Sequence, residues 1–181
     1  MGGVIPRPAN VADADAIGAL HVAAWRETYT GILPDEMLSA LSVEARRTMW
    51  RNVLSDPAAR ASTSVFVAED GGQIIGFGAC SGQRDATLIE TGFGGEIGAL
   101  YVLGAHQGRG VGRTLVSALS IALIDLGHAA ASLWVLRDNH RARRFYEMLG
   151  GEIVGEQTEQ HPDGDLVEVA YGWRDLGRLS R

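Results

Sequence analysis

Residues 96–114 read EIGALYVLGAHQGRGVGRT, and the rest of the chain is organised around them. The pattern predicts a strand, a sharp glycine turn and the start of a helix. Gly108, Gly110 and Gly112 stand at every second position, so the backbone can take positive φ angles and approach a ligand closely. An amphipathic run over 111–127 follows at once. Free backbone N–H groups at a helix N-terminus form an anion site, and the helix dipole strengthens it. Phosphate or pyrophosphate is the natural ligand.

Two nucleotide patterns fit poorly. A Walker loop ends in Gly-Lys-Ser/Thr, whereas this chain has Gly112-Arg113-Thr114 and lacks the first glycine. The dinucleotide fingerprint G-x-G-x-x-G finds Gly108 and Gly110 but places Arg113 at the last glycine. It also wants an acidic residue at a later strand end, and Asp125 falls inside the helical run.

What the residues do match is Q-x-x-G-x-G, as Gln107-Gly108-Arg109-Gly110-Val111-Gly112 after an apolar strand. This resembles the acetyl-CoA loop of the GNAT superfamily of N-acetyltransferases. A second segment runs from Asn139 through Ala142, Phe145, Tyr146 and Glu147 to Gly150. It resembles the GNAT pattern N-x-x-A-x-x-F-Y-E-x-x-G. The resemblance implies an α/β fold over 1–181 as one domain. Its sheet would be mixed and mostly antiparallel, with about seven strands and four or so helices, and the fourth and fifth strands would splay apart. It also implies acetyl-CoA as co-substrate, a small-molecule primary amine as acceptor, and direct attack in a ternary complex.

The element order supports that likeness along nearly the whole chain. Residues 4–7 suggest a short edge strand, limited by Pro6 and Pro8. Asn10 or Asp13 can cap a helix in which Ile17, Leu20, His21, Ala24, Trp25 and Thr28 recur at helical spacing. A second helical region covers 35–54, interrupted near Ser42. Strands at 65–69 and 74–80 flank the hairpin turn Asp70-Gly71-Gly72. Within 81–95, Thr87 to Glu90 reads as extended. The central strand is 97–102 and the helix after the glycine loop is 110–127. A strand follows at 133–136. Asp138 or Asn139 then caps a helix running to Leu149, with Gly150 as its C′ residue. Strands at 152–158 and 166–173 close the chain around a turn containing Pro162-Asp163-Gly164.

Acetyl transfer to an amine sets three demands: a neutral acceptor, donors for the developing oxyanion and a proton for the leaving thiolate. A lysine-like amine is neutral in only roughly 1 part in 2,500 at pH 7, so a positioned base is worth ~10²–10⁴ in rate. The resemblance makes Tyr146 the acid that protonates the CoA sulfur, and gives Asn139 a contact to the cofactor arm. Asn139 is equally a plain helix cap. Glu96 is the expected base, with Glu168, Asp85 and Glu90 as rivals. Simple alternation puts Glu96 on the strand face of Gly98, Leu100 and Val102, opposite Ile97, Ala99 and Tyr101.

By the same resemblance a bulge at Leu100, Tyr101 and Val102 frees amides for the thioester and pantetheine arm. Gln107, Gly108, Arg109, Gly110, Val111, Gly112, Arg113 and Thr114 would hold the pyrophosphate. Trp25, Tyr29 and Arg84 would meet the acceptor, though Trp25 also lies on an apolar stripe that fits the core. Cys80, at the end of an apolar strand, reads as a buried inert thiol rather than an acetyl-carrying nucleophile.

Composition sets the outer bounds. The chain has 181 residues, enough for a real core. Its net charge of −6 argues against nucleic acid as the main partner and mildly favours cationic acceptors. One cysteine allows no intramolecular disulfide, which suits a reducing, cytoplasmic location. No apolar run is long enough for a membrane span. The five histidines lack metal-ligand spacing, so no metal is expected. A homodimer is possible through the last strands, by analogy with the family. Two other functions share these features: a protein N-terminal or lysine acetyltransferase, and a CoA-binding sensor without catalysis.

Overall fold

In the computed structural model, residues 4–161 and 165–180 are described. Their centre is a seven-stranded sheet in the order β1-β2-β3-β4-β5-β7-β6. The strands are β1 (Arg7–Pro8), β2 (Thr63–Asp70), β3 (Gln73–Gly82), β4 (Gly95–Val102), β5 (Ala131–Leu136), β6 (Glu152–Glu159) and β7 (Leu166–Trp173). All neighbours are antiparallel except β4 and β5, which run parallel. Seven α-helices accompany them among the described residues: α1 (Ala14–Tyr29), α2 (Asp35–Ser39), α3 (Val43–Ser55), α4 (Pro57–Ser62), α5 (Ala86–Glu90), α6 (Val111–Asp125) and α7 (His140–Met148). The count exceeds the expected four because α2, α4 and α5 are single short turns of helix.

Local chemistry explains most boundaries. Asn10 Oδ1 accepts from Ala12 N–H while the Asp13 carboxylate accepts from Asn10 N–H, a reciprocal cap before α1. Ser42 Oγ takes Ala45 N–H and so starts α3 after the break at residue 40. Asp56 caps α4, which Pro57 opens. Gly71 and Gly72 have φ of +58° and +80°, the left-handed pair a two-residue hairpin requires. The turn expected at Pro162-Asp163-Gly164 lies outside the described residues.

Two expectations are corrected. The first strand is only Arg7–Pro8, not 4–7. The stretch expected to be extended, Thr87 to Glu90, is helical: Asp85 Oδ1 accepts Leu88 N–H and nucleates α5. Leu88 then drops into a small core with Phe93, Ala130 and Ala170. No strand edge lies open to receive an extended segment there, because β3 and β5 already flank β4.

The sheet separates two apolar layers. On one face α6 packs Leu119 and Leu123 against Ile97, Leu133 and Val135. On the other, α1 and α3 bring Ile17, Leu20, Trp50 and Leu54 against Val67, Phe77, Ala99 and Tyr101. Burying such side chains stabilises the fold by roughly 1.5–3 kcal/mol each.

Candidate active site

The cleft begins where a ladder ends. β4 and β5 pair only at Gly95–Ala131 and Glu96–Ser132. Beyond those two partners the parallel strands part, and a cavity of about 950 Å³ opens between them. Its walls are the 97–102 segment of β4, the 133–135 segment of β5, the glycine loop, α7 and the end of α1.

A bulge on β4 reorients the strand beside this opening. Ala79 faces Ala99 but Cys80 faces Ile97, so Gly98 is an extra residue on β4. The extra residue inverts the alternation expected from sequence. Ile97 and Leu100 both pack toward α6, whereas Ala99 and Tyr101 pack toward α1. Glu96, opposite Ile97, therefore belongs to the face of Ala99 and Tyr101, not to that of Leu100 and Val102. The bulge itself stands at Gly98 rather than at 100–102, and Gly98 is exposed to the cleft.

The glycine loop closes one end. Gly108 and Gly110 have φ of +77° and +84°, and a Cβ built on either would meet nothing within 4 Å. Open space thus lies directly over the loop's main chain. The first bond inside α6 runs from Thr114 N–H to Gly110 C=O. The amides of Val111, Gly112 and Arg113 precede it and have no acceptor within the helix. Gln107 lines the cavity, and its Nε2 donates to Val102 C=O at 2.7 Å, strapping the loop to β4. A Cβ on Gly112 would come within 3.1 Å of the Phe145 ring, so this glycine lets α7 sit against the start of α6. Arg113, Arg141 and Arg144 line the same cavity, while Arg109 is exposed beside it. Thr114 turns its hydroxyl back onto Val111 C=O.

Asn139 caps α7 through Ala142 N–H and is buried at the cavity wall. Two turns of helix later stands Tyr146, 8% exposed and also on that wall. Among the described residues its hydroxyl has no hydrogen-bond partner, and it is not sealed from solvent. Burial raises its pKa well above the ordinary phenol value. The group therefore keeps its proton at neutral pH, the state a proton donor needs.

Aromatic side chains build another part of the wall. Trp25 does not line the cavity; its Nε1 donates to the Tyr101 hydroxyl at 2.8 Å, and its ring meets Tyr29 edge-on at 5.0 Å. Tyr29 and Tyr101 do line it. Burial raises both phenols, and the Glu168 carboxylate on β7 raises them further. Beneath Tyr101 lies His21, whose ring is 5.0 Å away and whose Nδ1 accepts from Trp50 Nε1 at 3.1 Å. Burial, with Arg46 nearby, lowers His21 to a pKa of about 4, so it is a neutral imidazole at pH 7. The helical spacing placed His21 on the apolar stripe but gave no sign of this pairing.

Glu96 and Arg84 are brought together. Both carboxylate oxygens accept from the guanidinium fork, Nε to Oε2 and Nη2 to Oε1, each at 2.9 Å. Gln83, which no motif signalled, fixes the loop behind them. Its Nε2 donates to Ser132 Oγ on β5, and its Oε1 accepts from Arg84 and Asp85 N–H. Glu168 accepts from Gln157 Nε2, Asp85 is spent on its cap, and Glu90 is exposed at the end of α5. Cys80 is buried, with its thiol pushed up to about 12, and is no nucleophile at neutral pH.

The chain is similar to known proteins. The acetyltransferase (GNAT) family model matches residues 22–150. An uncharacterized N-acetyltransferase of Bacillus subtilis, YuaI, is 31% identical over 177 residues, 97% of this chain and 96% of that one. Among solved structures, the PaiA N-acetyltransferase of Thermoplasma acidophilum in complex with coenzyme A superposes with a TM-score of 0.72. It is 18% identical and covers 93% of this chain and 98% of its own. YncA of Salmonella typhimurium, with its cofactor acetyl-CoA, gives 0.70 at 20% identity, covering 97% and 95%. At those identities the structures speak to the fold. The chain belongs to the GNAT acetyltransferase family.

Proposed function

As a GNAT acetyltransferase, we propose, the protein moves an acetyl group from acetyl-CoA to a primary amine of a small molecule, by direct attack while both are bound. The observation that carries this is the Tyr146 hydroxyl, without a hydrogen-bond partner among the described residues and set in the wall of the cleft between β4 and β5. A pure CoA binder has no use for such a group.

The residues suit the co-substrate. An anionic pyrophosphate fits the amides of 111–113, the space over Gly108 and Gly110, and the cations Arg113, Arg141 and Arg144. The unpaired stretch of β4 after Glu96 offers main-chain groups to a pantetheine arm. When bound, acetyl-CoA supplies a thioester whose carbonyl carbon an amine can attack.

The chain's own groups then handle the protons. Glu96 takes one from the incoming ammonium. Tyr146 gives its phenolic proton to the departing sulfur. The second proton lost from nitrogen, as the amide forms, restores the phenol. One proton leaves to solvent per turnover, through Glu96. Tyr29 and Tyr101, held by Trp25, form the wall against which the acceptor packs. A cytoplasmic location accords with a single buried free thiol.

The test is free-thiol release from acetyl-CoA over a panel of amines, amino acids, polyamines, aminoglycosides and peptide N-termini. Release with at least one small-molecule amine or amino acid is expected. Release only with peptides would move the assignment to protein acetylation. Tight binding of acetyl-CoA with no release on any acceptor would point to a sensor.

A further inference from the structure

The Arg84–Glu96 pair has an unusual division of exposure. The Glu96 side chain is 9% exposed, whereas that of Arg84 is 79% exposed. A buried carboxylate is thus held at both oxygens by a cation that is mostly in water. Among the described residues Arg84 has no other ion-pair partner. Its main chain, by contrast, is fixed. Gln83, itself 9% exposed, bonds the Arg84 and Asp85 amides and is anchored on Ser132. The guanidinium can swing while its root cannot. Neither member of the pair lines the cavity, but they stand next to its wall: Arg84 Nη2 is 4.0 Å from where a Cβ of Gly98 would be, and Gly98 is exposed in that wall.

In this state both Glu96 oxygens accept from the guanidinium fork, so the carboxylate faces Arg84 rather than an acceptor ammonium. An acceptor whose ammonium is to meet Glu96 directly must displace or share that fork. The guanidinium half of the pair is in water and can change partners, provided the buried Glu96 charge receives another cation. A carboxylate on the acceptor offers Arg84 an equivalent two-point partner, and the acceptor's ammonium replaces the guanidinium on Glu96. Charge is conserved at each step, and neither ion is left alone. The two protein groups meet at 2.9 Å; an acceptor that bridges them with the Arg84 root fixed by Gln83 carries its ammonium and anionic group as near neighbours, as an α-amino acid does.

Building on the acetyltransferase reading, we propose that Arg84 gates Glu96 and that the acceptor is an amine with an adjacent carboxylate, of the α-amino-acid class. The carboxylate withdraws Arg84. One ammonium proton passes to Glu96. The freed nitrogen lone pair forms the C–N bond as the C–S bond breaks, and the sulfur takes the Tyr146 proton. A monoamine without the anion leaves Arg84 on Glu96 and is acetylated poorly.

The experiment compares kcat/KM for matched pairs differing only in the carboxylate: leucine with isoamylamine, and phenylalanine with phenethylamine. In the wild type the amino acids should lead by about tenfold to a hundredfold, the range of a charged hydrogen-bonded pair. In Arg84→Gln the ratio should fall to within about threefold of unity, for the same reason. Arg84→Lys keeps the charge but not the fork, and should land between the two. Calorimetric titration of acetyl-CoA into each protein runs alongside. Equal rates within each pair, an unchanged ratio in Arg84→Gln, or no transfer to any amino acid while acetyl-CoA binds would overturn the gate alone. Failure of acetyl-CoA to bind the wild type would overturn the acetyltransferase reading and the gate together.

Discussion

One half of the cleft is made of main chain and the other of side chains. At the glycine loop the candidate contacts are amides of 111–113, open space over Gly108 and Gly110, and unpaired groups of β4. Elsewhere on the wall they are Tyr29 and Tyr101, braced by Trp25 and His21, with the Arg84–Glu96 pair beside Gly98 just outside it. Main-chain sites follow from local backbone conformation, which a few glycines specify. Side-chain sites follow from which elements meet. The same fold can therefore keep its donor end while the acceptor end changes residue by residue.

The sharpest way to break this contrast is Gly110→Asp. The position has φ of +84° and open space above, so the new carboxylate costs about 1–2 kcal/mol of backbone strain and places negative charge where the pyrophosphate should sit. Calorimetry should show acetyl-CoA affinity reduced by at least about a thousandfold, with the fold intact by circular dichroism. Retained affinity would remove the loop from the site.

The second probe is acid, and it acts on the side-chain half. His21 is held near a pKa of 4 when folded and has ~6.5 when unfolded. A folded value below the unfolded one means that the unfolded chain binds the extra proton. The histidine therefore costs no stability above about pH 6.5. As pH falls toward 4 the folded state is progressively penalised, by up to ~3 kcal/mol. Denaturant midpoints from pH 7 to pH 4.5 should fall steeply in the wild type and less steeply in His21→Gln. Parallel curves would mean that His21 titrates normally and that the aromatic layer is open to water.

The third and smallest is Trp25→Phe, which keeps most of the ring but deletes the donor to Tyr101. Losing one such bond is worth about 1 kcal/mol. The KM for the acceptor should rise about fivefold, with acetyl-CoA affinity unchanged. A matching loss of acetyl-CoA affinity would show that the two halves are not separable.

The same contrast explains what the sequence disclosed. The caps at Asn10, Ser42 and Asn139, the glycine turn at 71–72 and the loop at 107–112 are local, and they stand where the residue pattern put them. The bulge at Gly98 is a relation between β3 and β4, and alternation along β4 alone assigned Glu96 to the wrong face. Trp25 and Tyr101 are 76 residues apart, and His21 and Trp50 are 29 apart; no spacing rule links them. Gln83 carries no motif because its work is to bridge a loop to β5. The helix at α5 hid in a stretch whose glycines suggested an irregular bend.

The most direct test of the account is Tyr146→Phe, measured for acetyl-CoA affinity and for turnover in one preparation. The ring stays and only the hydroxyl goes, one with no protein partner among the described residues. Turnover should fall about a hundredfold while acetyl-CoA affinity stays within about threefold and thermal stability is unchanged. Undiminished turnover would contradict the assignment of Tyr146 as the proton donor, and with it the claim that this cleft is built for chemistry rather than for binding alone.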